Sequence, residues 1–443
     1  MQIDPSTLKR FRQECQSDPA QRLAMNAVTS SGVVKSATDV EALKKQVHEY
    51  SLQLKSGAIT NQHHSGRCWM FAALNTMRFG MIKKLKLESF EFSQVYPLFW
   101  DKLEKSNYFL ENILSTLEEA TNSRVIAFLL MSPLGDGGQF DMFAGLVEKY
   151  GVVPKDAMPE TACSMDTHEM DKYLTLKLRE YAASLRGDHR KHEPMERLRA
   201  QKDAMLSTIY RMLTICLGFP PETVNLLAHD KDNKLIRDDG LTPQSFYKKY
   251  VGWDLNDYVS LINAPTADKP YNKAYTVRFL GSVHEARPVR YLNLPIQVLK
   301  NAAIAQMRDG EPVWFGCDVG QRSLREQGVM DVTSLALDQL FGTPFPLTKE
   351  ERLDYGESLM THAMVLLGVH LDEQGKPQRW RVENSWGKDR GKDGYYLMSD
   401  DWFSEYTYQV VVHKKYLSQE QRKQYEGELT VLEPWDPMGS LAK

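Results

Sequence analysis

A chain of 443 residues is longer than one average domain, with room for two to four units or for a single core carrying large insertions. Hydrophobic residues at 42% and charged residues at 26% are ordinary for a globular protein that buries a core. A net charge of −3 argues against a global polycation built for nucleic acid. A mean hydropathy of −0.46 argues against an integral membrane protein, and no apolar run approaches the ~18 residues a membrane helix needs.

The first residues, MQIDPSTLKRFRQECQSDPAQ, are polar and mixed in charge, without an apolar segment of signal-peptide type. The five cysteines (Cys15, Cys68, Cys163, Cys216, Cys317) are widely spaced and form no CxxC pair. That pattern is expected of reduced thiols in a reducing compartment, hence a cytoplasmic location. Four of them read as small buried hydrophobes, and Cys68 stands apart.

Residues 1–60 read as a polar amino-terminal arm, with one helical stretch starting at Asp39 (DVEALKKQVHEYSLQLK). From Cys68, the spacing of Phe71, Leu74, Met77 and Met81 predicts a helix, so 61–155 reads as a helical lobe ending near the glycine-rich break Gly135–Gly138. Residues 156–285 read as a mainly helical insertion, with long charged helices near Met170–Leu185 and His192–Cys216. The window Asp171–Asp203 holds nine Lys/Arg against six Asp/Glu, and a solvated helical face is the simple reading of it, a polyanion-binding surface the alternative. Residues 286–430 carry a helix from Ile296 and then strand-like runs at 313–319, 363–371, 378–384, 394–399 and 408–416. Helices early and strands late predict an α+β fold of two lobes with a cleft between them.

The segment NQHHSGRCWMFAALNT (61–76) carries the chemistry. Cys68 falls where a loop gives way to a helix, and unpaired N–H groups and the helix dipole there favour a thiolate. Gln62 can place an amide donor beside the Cys68 N–H, and two donors aimed at one point make an oxyanion hole. A thiolate needs a base, and the base an orienter. His362 opens an apolar strand, Asn384 ends the next strand and can accept the imidazole N–H, and Trp386 can cover that hydrogen bond.

In the order Gln62, Cys68-Trp69, His362, Asn384-Ser385-Trp386-Gly387, the chain resembles the papain-like cysteine proteases. Ser65-Gly66-Arg67-Cys68-Trp69 meets their C-G-[SA]-C-[WY] signature in part: Ser65 replaces a cysteine, and Arg67 replaces a small residue and is expected to alter the charge at the mouth of the site. His362 and Asn384 lie roughly 300 residues after Cys68, against the ~130–150 of the signature, so the insertion accounts for the excess. That insertion, Gln62-His63-His64-Ser65-Gly66-Arg67-Cys68-Trp69 and the tail EPWDPMGSLAK (433–443) resemble the bleomycin hydrolase and aminopeptidase C branch over essentially the whole chain.

The resemblance implies a papain-like two-lobed fold with an antiparallel, barrel-like strand lobe, and a homohexamer with active sites facing an inner cavity. It also implies thiol-dependent removal of amino-terminal residues from peptides with a free amino terminus. By it, residues 431–443 lie in the active-site cleft, with Ala442 and Lys443 at the substrate's amino group. Gly137, Gly138, Trp69 and Trp386 are expected to contact substrate. Lys443 is expected to be trimmed by the enzyme itself. The alternatives are a papain-like endopeptidase and a peptidase with accessory nucleic-acid binding. No cofactor is implied, and His63-His64 lack the partners of a metal site.

Overall fold

The computed structural model describes residues 2–442. Asp4 and Asp18 each precede a proline and cap the helices Pro5–Ser17 and Pro19–Ser31 by accepting from the N–H groups of Thr7 and Ala20. Neither helix buries a side chain, and Cys15 is exposed rather than buried as expected. The helix anticipated from Asp39 is short, Val40–Lys44. Beyond it the chain extends, and Leu52–Gln53 pairs with Val369 and Gly368. Val47, His48 and Tyr50 are weak helix formers, and the open strand edge beyond them takes Leu52 and Gln53.

The helical lobe is built on Cys68–Leu85, whose residues 68–78 are all buried. Val95–Ser115, Arg124–Met131 and Phe140–Tyr150 surround it, with Phe143 meeting the Trp69 indole edge-on at 6.5 Å. The insertion supplies the long helices His168–Arg190 and Met195–Leu217. Met170, Leu174, Leu178, Ala182 and Leu185 form the buried stripe of the first, at the three- and four-residue spacing of an amphipathic helix.

The helical character ends earlier than expected. After the hairpin Val224–His229/Leu235–Leu241, the strands Tyr258–Ile262 and Lys273–Val277 already belong to the main sheet, well before residue 286. Alternation was invisible there because Tyr258–Ile262 is buried on both faces.

The strand lobe is one mixed twelve-stranded sheet. Its centre runs Tyr258–Ile262, Thr407–His413, Val313–Cys317, His362–Leu371, Pro377–Glu383 and Tyr395–Ser399, all antiparallel. Three flanking pairs are parallel, Leu429–Leu432 with Lys273–Val277 among them, so the lobe departs from the purely antiparallel expectation. Trp314, Trp380 and Trp402 are fully buried in it.

Two contacts tie the lobes together. Trp314 Nε1 donates to the Trp69 carbonyl at 3.1 Å, and Arg78 on the nucleophile helix meets Glu383 at 2.7 Å with both side chains buried. Among the described residues no helix is long and apolar enough to cross a membrane.

Candidate active site

The loop before Cys68 is held from two directions. Gln62 N–H donates to the Ser385 carbonyl at 2.8 Å and Gly387 N–H to that of Thr60 at 3.1 Å, so residues 60–62 run beside the segment after Asn384. On the other side His64 N–H donates to Met165 O at 2.9 Å, at the start of the insertion. The Gln62 amide nitrogen donates to Ser65 O at 2.6 Å, and its Oε1 accepts from Ser385 Oγ at 2.6 Å. This fixes the amide's orientation and leaves one of its two N–H bonds for another acceptor.

Cys68 is the first residue of its helix, and no side chain caps that end. The Arg67 carbonyl takes the N–H groups of Met70 and Phe71, leaving those of Cys68 and Trp69 at the open helix terminus. Opposite, His362 opens its strand in register with Cys317. The Ala363 and Trp69 N–H groups point at the Cys68 sulfur, which therefore lies beside the residue that follows His362. His362 Nε2 and Asn384 Oδ1 are 2.9 Å apart, and the same Oδ1 accepts the Ser385 N–H at 2.8 Å. With Nε2 donating to Asn384, Nδ1 is the basic nitrogen left for the cleft. Trp386 covers the imidazole at a ring separation of 4.8 Å, with Arg325 over the indole's other neighbourhood at 5.1 Å.

The electrostatics differ from a resting thiolate–imidazolium pair. Burial pushes the Cys68 thiol up to about 12, the Ala363 and Trp69 amides opposing it, and burial pushes His362 down to about 4. Either charge alone is disfavoured in the closed cleft, whereas moving the proton from sulfur to ring keeps the pair neutral in sum.

The carboxy-terminal tail packs against the glycine segment. Gly138 N–H donates to Ala442 O at 3.0 Å, Gln139 Nε2 to Ser440 O at 2.7 Å, and Ser440 Oγ to Met360 O at 2.5 Å. Ala442 is fully buried, and Lys443 lies outside the described residues. A Cβ on Gly138 would sit 2.5 Å from the Trp69 indole, so only glycine lets the tail approach this closely. Gly137 and Trp69, expected to contact substrate, support this segment from within the protein. The Gly137 carbonyl accepts from Lys105 Nζ at 2.7 Å, and the fully buried Trp69 donates to Asp136 O at 2.7 Å, supporting the glycine segment from behind.

Arg67 also departs from expectation. It is fully buried, paired with Glu160 at 3.0 Å and donating to Ser164 O at 2.7 Å, so it clamps the loop to the insertion and leaves the mouth's charge unchanged. Sequence reasoning assigned nothing to Asp136, which the fold makes a hub. Its carboxylate accepts from Gly66 N–H at 2.6 Å, Thr167 Oγ1 at 2.5 Å and Lys102 Nζ at 2.6 Å. Burial opposes its ionisation, but the Lys102 charge and these three donors outweigh it and hold the carboxyl well below its usual range. Asp171 also contacts Lys102, at 2.8 Å. The partners sit on three separate segments, so no local motif announced them.

A cysteine at a helix start, beside the strand that begins with a histidine held by an asparagine, is the arrangement of a papain-like cysteine peptidase. The family comparison agrees: residues 2–439 match the Peptidase C1-like family, and the chain belongs to it. It is 49% identical to Aminopeptidase C of Streptococcus thermophilus over 94% of each chain, and 41% identical to Bleomycin hydrolase of Gallus gallus over 98% of this chain and 97% of the relative. The crystal structure of PepW from Lactobacillus rhamnosis superposes with a TM-score of 0.97 at 50% identity, covering 100% of this chain and 99% of that one.

Proposed function

We propose that the protein is a cysteine aminopeptidase that removes amino-terminal residues from peptides. The observation that carries this reading is the tail hydrogen-bonded to Gly138 and Gln139 inside the cleft. It fills the side from which a longer chain would enter, leaving space for a short amino-terminal segment, and a carboxylate at its end would attract the substrate's ammonium. The Aminopeptidase C relatives support the same reading. The endopeptidase alternative needs that space open.

In the reaction, substrate enters beside Cys68, and the proton passes from sulfur to His362 Nδ1 as sulfur attacks the scissile carbonyl. Cys68 N–H and the free Gln62 N–H hold the oxyanion, each such donor contributing about 10²–10³ in rate. His362 then gives its proton to the leaving amine, and later takes one from the water that releases the acyl group. Asn384 keeps Nδ1 facing the cleft throughout. Gly138 holds substrate backbone once the tail's terminal residues make room, and Trp386 shields the imidazole from water.

The Arg179–Lys202 stretch offers little free positive charge for nucleic acid. Arg186 donates to the Thr116 and Glu119 carbonyls, Lys202 and Arg199 bind Glu111, and Arg197 pairs with Glu193. A homohexamer and a cytoplasmic location accompany the proposal on the family likeness, and the exposed apolar side chains of the first two helices (Leu8, Phe11, Leu23, Met25) suit burial between subunits.

The test compares aminoacyl and amino-blocked fluorogenic amides on wild type, Cys68→Ala and a form lacking 440–443. Wild type should cut only free-amino substrates, Cys68→Ala should lose at least about 10³ in kcat, and truncation should admit blocked peptides. Near-normal cleavage by Cys68→Ala refutes the nucleophile, and unchanged selectivity after truncation refutes the role of the tail. Intact-mass spectrometry follows Lys443, whose loss in wild type but not in Cys68→Ala marks self-trimming.

A further inference from the structure

The mechanism above gives Asp136 no part, yet its bonds fall on both sides of the nucleophile. Two residues before Cys68, Gly66 N–H donates to the Asp136 carboxylate at 2.6 Å. One residue after Cys68, Trp69 Nε1 donates to the Asp136 backbone carbonyl at 2.7 Å. Two residues beyond Asp136, Gly138 N–H is the donor that the tail occupies through Ala442 O at 3.0 Å. Asp136 thus joins the stretch that carries the nucleophile to the stretch assigned to the substrate backbone.

The nucleophile loop is knit within itself. Ser65 Oγ donates to the Gln62 carbonyl at 2.5 Å, the Gln62 amide donates to Ser65 O at 2.6 Å, and Arg67 Nε donates to Ser65 Oγ at 2.8 Å. Gly66 N–H bonds outside this unit, to Asp136. Gln62 and Cys68, which supply the two oxyanion donors, stand at its ends, so the placing of the unit against Gly138 sets where both donors lie on a bound carbonyl. A misplacement of about 1 Å is enough to cost ~10² in rate. The other side of the joint is anchored by the helix Val95–Ser115. Its buried Lys105 donates to the Gly135 and Gly137 carbonyls at 3.0 and 2.7 Å, on either side of Asp136. Its fully buried Lys102 meets the Asp136 carboxylate at 2.6 Å and keeps it ionised, which strengthens the bond from Gly66 N–H.

We propose that Asp136 is a positioning residue of the peptidase reaction, holding the oxyanion donors of Gln62 and Cys68 in register with substrate backbone on Gly138. The inference rests on the aminopeptidase reading and concerns how its oxyanion hole is held. Asp136 acts through Gly66 and Trp69, and its effect on the sulfur runs the other way. Burial dominates the raised Cys68 thiol and the Asp136 charge adds to it, so without that charge the sulfur ionises no less readily. Loss of Asp136 therefore separates turnover from thiol reactivity.

The experiment sets steady-state kinetics on aminoacyl fluorogenic amides beside the rate at which dithiodipyridine, which needs the sulfur alone, modifies Cys68, followed by peptide mass across pH. Asp136→Ala should lower kcat about 10²-fold with KM within about threefold of wild type. Asp136→Asn, which keeps an oxygen for Gly66 N–H, should recover about tenfold of that loss. In both variants Cys68 should react with dithiodipyridine at least as fast as in wild type. An unchanged kcat in a folded variant, or a thiol rate that falls in parallel with kcat, overturns the inference. Trp69→Phe removes the bond to the Asp136 carbonyl and spares the carboxylate. It should lower kcat severalfold at an unchanged thiol rate, and it decides the question if neither Asp136 variant folds. A wild type whose thiol reacts but which cleaves no amide overturns the peptidase reading instead.

Discussion

His362 and Gly138 illustrate how single residues answer to their surroundings. Burial lowers His362 to about 4, from an ordinary value of 6.5. The unfolded chain therefore binds a proton below about pH 6.5 that the native state refuses, and stability falls as pH drops from there towards 4. The loss attributable to this group is up to about 3 kcal/mol, fully absent above pH 7. Denaturant midpoints of wild type and His362→Gln, followed from pH 7 to 4, should converge as pH falls, because only wild type carries the neutral imidazole. At Gly138 the constraint is space. A methyl group 2.5 Å from the Trp69 indole must push the segment into the cleft. Gly138→Ala should cost about 1–3 kcal/mol in stability and raise KM for aminoacyl amides, as thermal melts and steady-state kinetics would show.

Among elements, the nucleophile helix and the strand ending at Asn384 are coupled by Arg78–Glu383, an ion pair whose side chains are 1% and 2% exposed. Glu383 precedes the histidine's orienter, so the pair positions one half of the site from the other. Arg78→Met leaves a buried carboxylate without its cation and should cost about 3–5 kcal/mol, measurable by urea denaturation, while Arg78→Met with Glu383→Leu should recover much of it. The element most changed from its expectation is the insertion. Its helical periodicity was readable, since Met170, Leu174 and Leu178 repeat along one face. Its return to the sheet at Tyr258 was not, since a strand buried on both sides shows neither alternation nor a helical stripe.

At the scale of the whole molecule, the tail is expected to tune the thiol. Ala442 is fully buried beside Gly138, and burial above all pushes the Cys68 thiol up to about 12. Removing residues 440–443 rehydrates the sulfur, so its thiolate should form at lower pH. The rate of Cys68 alkylation by iodoacetamide, measured against pH, should shift downward in the truncated form; superimposable profiles would refute this coupling.

The sequence by itself pointed to Cys68, His362, Asn384 and Gln62 as the candidates for nucleophile, base, orienter and oxyanion amide, because each is tied to a local signal: a helix start, a strand start, a strand end and a fixed offset from Cys68. It also determined that a tail of small residues between prolines and a glycine could enter a cleft. Only the tertiary structure decided that Arg67 is buried against Glu160, that Trp69 stands behind Gly138, and that Lys102, Asp136 and Asp171 share one charge network beneath the site. The reason is physical. Charge balance and steric fit depend on atoms brought together from distant segments, and no stretch of chain carries the identity of the neighbour that folding will give it.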